Sequence, residues 1–199
     1  MIYVEYIERD RFLPLEIFRH LGDQSAWVDP DDTLVGSFGR TMRLGPMPSY
    51  LAFWKCKGMA RMDEWEAHFN SPAAQFDVAE KATHRAIHLQ HAGCYDELLA
   101  APAVDRDRLF CIEYFAAHSA MPDADVVRHY RARAATEPGA GLNFVLRRIG
   151  RLAPDPGCLA VLSFADYATL EAYERRRDDD DPLRPTAVGV YRWFGREVL

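Results

Sequence analysis

The sequence has no excess of positive charge, no closely spaced cysteines and no long apolar run, and each absence removes a class of function. Lysine and arginine total 24 against 30 aspartate and glutamate, a net charge of −6. Such a balance offers no general basic field to a phosphate backbone, and basic and aromatic residues do not alternate regularly, so nucleic acid is not expected as a partner. Cys56, Cys94, Cys111 and Cys158 are scattered beside hydrophobic and aromatic residues, without the paired spacing of a zinc site. They read as buried free thiols of a reducing compartment. The start Met1-Ile2-Tyr3-Val4-Glu5-Tyr6 lacks the basic residues and continuous apolar stretch of a signal peptide, and no run approaches the roughly 20 residues that span a bilayer. A cytoplasmic protein without a membrane partner is expected. Phosphate and calcium loops are missing as well. Gly139-Ala140-Gly141 precedes a strand pattern instead of a helix, and Arg175 to Asp181 has neither the glycine nor the spaced ligands of a calcium loop.

What is present is a duplication. Arg43-Leu44-Gly45-Pro46-Met47-Pro48-Ser49-Tyr50-Leu51-Ala52 aligns with Arg151-Leu152-Ala153-Pro154-Asp155-Pro156-Gly157-Cys158-Leu159-Ala160, sharing Arg, Leu, both prolines, Leu and Ala at an offset of 108. The same offset pairs Val4-Glu5-Tyr6 with Ile112-Glu113-Tyr114 and Trp65-Glu66 with Tyr173-Glu174, and one inserted residue pairs Arg19-His20 with Arg128-His129. Residues 2–7 and 109–115 are rich in β-branched and aromatic residues and predict strands. Helical spacing follows over 15–21 and 125–135, then strands over 34–43 and 142–151, Pro-x-Pro turns, and strands over 50–56 and 158–164. Second helices are predicted over 61–69 and 167–176, and closing strands over 86–91 and 186–193. Each half therefore reads β-α-β-β-α-β, the ferredoxin-like unit, giving an α+β protein of two tandem halves, 1–103 and 104–199, with a linker over 98–107. Four strands with helices on one face leave the other face bare, and two such sheets facing each other would bury it as a pseudo-dimeric α+β barrel.

This order of elements, the opening Met1 to Tyr6 and the stretch Gly45 to Trp65 resemble the dimeric α+β barrel superfamily, and within it the NIPSNAP-like proteins. The first strand resembles their Met-Ile-Tyr-Glu-Leu-Arg-type start, and a tryptophan followed by a helix after the third strand is similar to their pattern. Val4-Glu5 departs from it, standing where that family usually has Glu-Leu. The superfamily includes cofactor-independent monooxygenases, isomerases, dehalogenating and lyase-type enzymes and haem proteins, so the resemblance implies a fold and names no single reaction.

Glu5 leads the candidates for chemistry. Tyr3 and Glu5 share one strand face, opposite Ile2, Val4 and Tyr6. With the aliphatic set packed on the helices, Glu5 and its repeat partner Glu113 are expected to face the barrel interior, where a carboxylate must be paired or become a raised-pKa general base. Arg40 and Arg43, with Arg148 and Arg151 in the repeat, are the counter-ions within reach, and symmetric salt bridges are the structural alternative. His84, His88 and His91 have metal-ligand spacing only on a helix. In the predicted strand His88 is a candidate acid-base group and no metal is expected. Trp54, Phe53, Tyr50, Phe38 and Met42 give the first half an aromatic pair of central strands, where the second half has Leu162, Val161 and Cys158, and such a wall suits a small apolar ligand.

Together these residues predict a cofactor-independent enzyme acting on a small apolar or aromatic compound. Glu5, His88 and Arg40 would be catalytic, and Arg43, Trp54, Tyr3 and Phe38 would bind substrate. Two other classes compete: a non-catalytic binding or assembly protein with a filled barrel, and a haem-binding barrel with His20, His118 or His129 as axial ligand. A homo-oligomer is expected.

Overall fold

The computed structural model describes residues 1–9, 33–42, 44–45, 48–71, 87–116, 121–177 and 180–193. In chain order the elements are β1 (Ile2–Arg9), β2 (Thr33–Arg40), β3 (Tyr50–Lys55), α1 (Ala60–Phe69), β4 (Ile87–Ala100), β5 (Leu109–Phe115), α2 (Asp123–Ala135), β6 (Gly141–Arg148), β7 (Cys158–Phe164), α3 (Tyr167–Arg175) and β8 (Pro185–Trp193). The helix expected over 15–21 lies outside the described residues. The eight strands close into an antiparallel barrel in the order β1-β3-β2-β8-β5-β7-β6-β4.

Strand registers repeat with the sequence. Glu5 stands opposite Ala52 in the pairing of β1 with β3, and Glu113 opposite Ala160 in that of β5 with β7, so both partners shift by 108. Phe38 opposite Leu51 and Leu146 opposite Leu159 shift equally. The seams match as well: Arg40 faces Tyr191 across β2 and β8, and Arg148 faces Tyr95 across β6 and β4.

β4 is longer than its sequence pattern predicts. It pairs first with β1, through Tyr95, and then with β6 from Tyr95 to Ala100, so Leu98 to Ala100 belong to the strand and not to a linker. A strand that closes a barrel needs two neighbours in succession, and that demand overrides the polar Asp96-Glu97 interruption. The strands predicted over 34–43 and 142–151 end earlier, at Arg40 and Arg148, because tight turns follow. Met42 and its repeat partner Gly150 both take positive φ there, 50° and 55°.

Alternation along each strand sorts side chains between two cores. Ile2, Val4, Tyr6, Phe38, Phe53, Phe110, Tyr114 and Tyr191 fill the barrel interior with other buried apolar side chains. Phe38 lies at its centre, its ring 5.1 Å from that of Phe110 and 5.2 Å from that of Phe53. An eight-stranded barrel is just wide enough for side chains to fill, and these do. The opposite, outward face of the second-half sheet packs under α2 and α3, where Cys111, Ala160 and Leu162 meet Val126, Tyr130, Leu170 and Tyr173. Asp123 and Asp125 in the first turn of α2 and Arg133 in its last complement the helix dipole. Asp166 caps α3 by accepting from the Thr169 amide at 2.8 Å.

The expected assignment of faces is therefore reversed. Ile2, Val4 and Tyr6 point into the barrel, and Tyr3 and Glu5 lie on its outer face. The closed interior takes the aliphatic and aromatic set, in which the Tyr6 and Tyr95 hydroxyls bond to each other, while the outer face carries the carboxylates and can bring polar partners from its helix layer.

Candidate functional site

The repeat-related carboxylates occupy different environments. Glu113 is fully buried. It accepts hydrogen bonds from Tyr130 and Tyr173, each at 3.1 Å, and from Arg133 at 3.1 and 3.2 Å and Arg177 at 2.7 Å. Its cations come from α2 and the end of α3, not from Arg148 or Arg151 as the sequence suggests. Arg148 pairs with Asp155 instead. Glu113, Cys111 and Glu174 bring ligand-type atoms within 4.8 Å of one another. Two guanidinium groups already hold the Glu113 carboxylate, and burial, with Glu113 adding to it, pushes the Cys111 thiol up. With its carboxylate already engaged by two arginines and two tyrosines, the donor set does not suit a metal.

Glu5 is partly buried beside Tyr3 and Trp54. Its Oε2 accepts from the Trp54 indole Nε1 at 2.8 Å, and among the described residues no cation pairs with it. Burial raises its carboxyl above the ordinary 4.5, opposed only by the Trp54 hydrogen bond. The Tyr3 hydroxyl is pushed up by burial and then by Glu5, so it stays protonated. Trp65 of α1 places its ring edge-on to Tyr3, centroids 5.2 Å apart. The sequence at the positions equivalent to Tyr173 and Arg177 reads Trp65 and Phe69. At those equivalent to Tyr130 and Arg133, one residue further offset, it reads Leu21 and Gln24. The duplication has kept the carboxylate and replaced every donor that clamps it in the second half.

Beside Tyr3 the outer face opens into a cleft of ≈ 440 Å³. Its floor is Tyr3, Ala92, Gly93 and Cys94, and Met59, His91 and residues 151–154 of the second half form its walls. Ala92 is the register partner of Glu5 and Cys94 that of Tyr3, so Glu5 adjoins the floor on the same sheet face, about 7 Å beyond Tyr3 along β1, without lining the cleft itself. Burial raises the Cys94 thiol.

The predicted site residues are thus divided. Tyr3, Glu5 and Trp54 come together on the outer face. Phe38 is in the barrel interior, on the other side of the sheet. Arg40 stands at the barrel end beside Tyr191, donating to the Gly45 carbonyl at 3.0 Å. Arg43 and the side chain of His88 lie outside the described residues. Sequence reasoning missed Cys94, Trp65 and the cleft. For Trp65 the signal was its place opposite Tyr173 in the repeat.

A haem ligand can be tested only at His129, because His20 and His118 lie outside the described residues. The His129 imidazole Nε2 is engaged by Asp181 at 3.0 Å, and the crevice beside it holds ≈ 260 Å³ between Arg133, Tyr173 and Arg177. Neither the occupied nitrogen nor the space suits a porphyrin, so His129 does not fit an axial role.

The closed eight-stranded antiparallel barrel with helices packed outside is an α+β barrel. No protein-family model matches the chain, and no curated protein matches it. Among solved structures it is similar to a candidate monooxygenase from Lactobacillus acidophilus at 11% identity and a TM-score of 0.56, covering 96% of this chain and 91% of that one. It is similar to a mutant chlorite dismutase from Candidatus Nitrospira defluvii in complex with cyanide, at 9% identity and a TM-score of 0.56, covering 96% and 90%. A haem-binding protein from Thermus thermophilus aligns at 10% identity and a TM-score of 0.54, with the same two coverages. At these identities the likeness shows the fold alone. Among the described residues no helix is long and apolar enough to cross a membrane.

Proposed function

We propose that the chain is a cofactor-independent enzyme acting on a small apolar or aromatic compound held on the outer face of the first-half sheet, with Glu5 as the proton-transferring group. One observation carries this: the carboxylate is retained in both halves, but only Glu113 keeps its two arginines and two tyrosines. A partly buried carboxyl that no described cation pairs with has its charged form disfavoured, and a raised pKa is what a general base requires. Trp54 holds Oε2, leaving Oε1 to take a proton from an acidic C–H or O–H of the substrate. The protonated Tyr3 hydroxyl, on the same face, would donate to the oxygen on which charge develops. Trp65 and Met62, packed against this patch, offer apolar wall.

Two ferredoxin-like halves, 1–103 and 104–199, with one site in the first, agree with this. Their support is the repeated register and the contiguous strand orders β4-β1-β3-β2 and β8-β5-β7-β6. The NIPSNAP-like resemblance and a homodimer stand as proposals beside it.

The test uses 2-tetralone, a neutral aromatic carbon acid, incubated with the protein in D2O while loss of its acidic C–H signal is followed by NMR. Exchange at least tenfold above buffer, abolished in Glu5→Gln while the compound still binds, is expected. Binding without exchange would leave a non-catalytic binding protein. A Soret shift on haem addition that Glu5→Gln leaves intact would favour the haem-binding class instead.

A further inference from the structure

The cleft beside Tyr3 is built from both halves of the chain, and its charge differs from that of the molecule. On a chain of net charge −6, the lining holds, among the described residues, Arg151 and His91 and no carboxylate. Arg151 is exposed, and among the described residues no ion pair engages it. By contrast Arg133, Arg147, Arg148 and Arg177 are each paired with acids.

The turn that carries Arg151 is fixed to the first half. Cys94 donates its amide to the Leu152 carbonyl at 2.7 Å and accepts at its own carbonyl from Ile149 at 2.9 Å. Ala153 sits on Gly93 so closely that a Cβ there would stand 2.6 Å from the Ala153 Cβ. Position 151 is thus held between two points anchored on β4, the strand that forms the cleft floor. A cation whose backbone is fixed at the rim of an otherwise apolar floor suits a compound with an apolar body and an anionic head.

We propose that Arg151 is the specificity-determining residue of this site, selecting an apolar or aromatic compound that carries a monoanionic group such as a carboxylate. This rests on the outer-face site proposed above and deepens it. The body would lie over Tyr3 and Cys94 between Met59 and Leu152, with its far end toward Glu5 and its anion at Arg151. Arg151 is the repeat partner of Arg43, for which the sequence suggests anion binding in the first half. Arg43 itself lies outside the described residues.

Two dyes of similar body separate the charge from the pocket: 1-anilinonaphthalene-8-sulfonate, an anion, and N-phenyl-1-naphthylamine, its neutral counterpart. Fluorescence titrations of the full chain are expected to show the anionic dye bound at least tenfold more weakly by Arg151→Gln than by the wild type. Arg151→Lys should keep most of that affinity, and added salt should lower it in the wild type only. The neutral dye should bind Arg151→Gln and wild type within twofold. Ala92→Trp, which fills the cleft, should remove both dyes. If the neutral dye binds but the anionic dye is indifferent to Arg151→Gln, the assignment of Arg151 is overturned and the outer-face site survives. Binding of neither dye, or of both to Ala92→Trp, overturns the two together.

Discussion

Neutralising the two repeat-related carboxylates should change stability in opposite directions. In Glu113→Gln the tyrosines keep an acceptor, but Arg133 and Arg177 lose the charge that holds them. Removing one partner of a buried ion pair costs about 3–5 kcal/mol, and Glu113 is fully buried. For a chain of this length that lowers Tm by roughly 10 °C. In Glu5→Gln the amide oxygen can still accept from Trp54, and no described cation is stranded. Because the folded pKa of Glu5 lies above its ordinary 4.5, the folded chain binds the proton more tightly than the unfolded one. Wild-type stability is then complete below about pH 4.5 and declines as pH rises through the folded value. Glu5→Gln should therefore match wild type at pH 4 and exceed it at pH 8. Thermal melts by circular dichroism across that range read both effects. A Glu5→Gln protein less stable than wild type at pH 8 would refute the reasoning, because it would mean that Glu5 is paired as Glu113 is.

Phe38→Ala opens a cavity in the barrel interior and should cost about 3–5 kcal/mol, read by urea denaturation. Since Phe38 faces away from Tyr3 and Glu5, ligand affinity of the folded fraction should not change. Met42 is 79% exposed at φ 50°, where the repeat has Gly150, so Met42→Gly should stabilise the chain by about 1 kcal/mol, checked by the same denaturation. Cys111 is fully buried with a raised thiol pKa, and iodoacetamide at pH 7.5 should leave it unmodified in the folded protein, as mass spectrometry would show.

The barrel and most of its strands were legible because a repeated Pro-x-Pro turn and period-two patterns survive at a constant offset. Which face of each strand points inward was not. Both faces of these sheets are covered, one by the opposite sheet and one by helices, so Ile2-Val4-Tyr6 against Tyr3-Glu5 gives two faces without an inside. The partners of Glu113 were missed because the sequence pattern favours neighbouring strands, and Arg148 and Arg151 lie on the strand and turn just beyond. The true partners reach across from α2 and the end of α3. A comparison of Arg177 with Phe69 and of Tyr173 with Trp65 would have disclosed that the two carboxylates are held differently. The closing strand was underestimated because pairing with β6 keeps Asp96 and Glu97 extended where composition suggests a linker.

A carboxyl titration by NMR on protein carrying 13C-labelled glutamate, with Glu5 assigned by its absence in Glu5→Gln, tests the central claim most directly. A Glu5 signal that titrates above 4.5 in the unliganded protein would show a carboxyl held without a cation and ready to accept a proton. A signal that titrates at or below that value would show a hidden charge partner and would contradict the proton-transferring role.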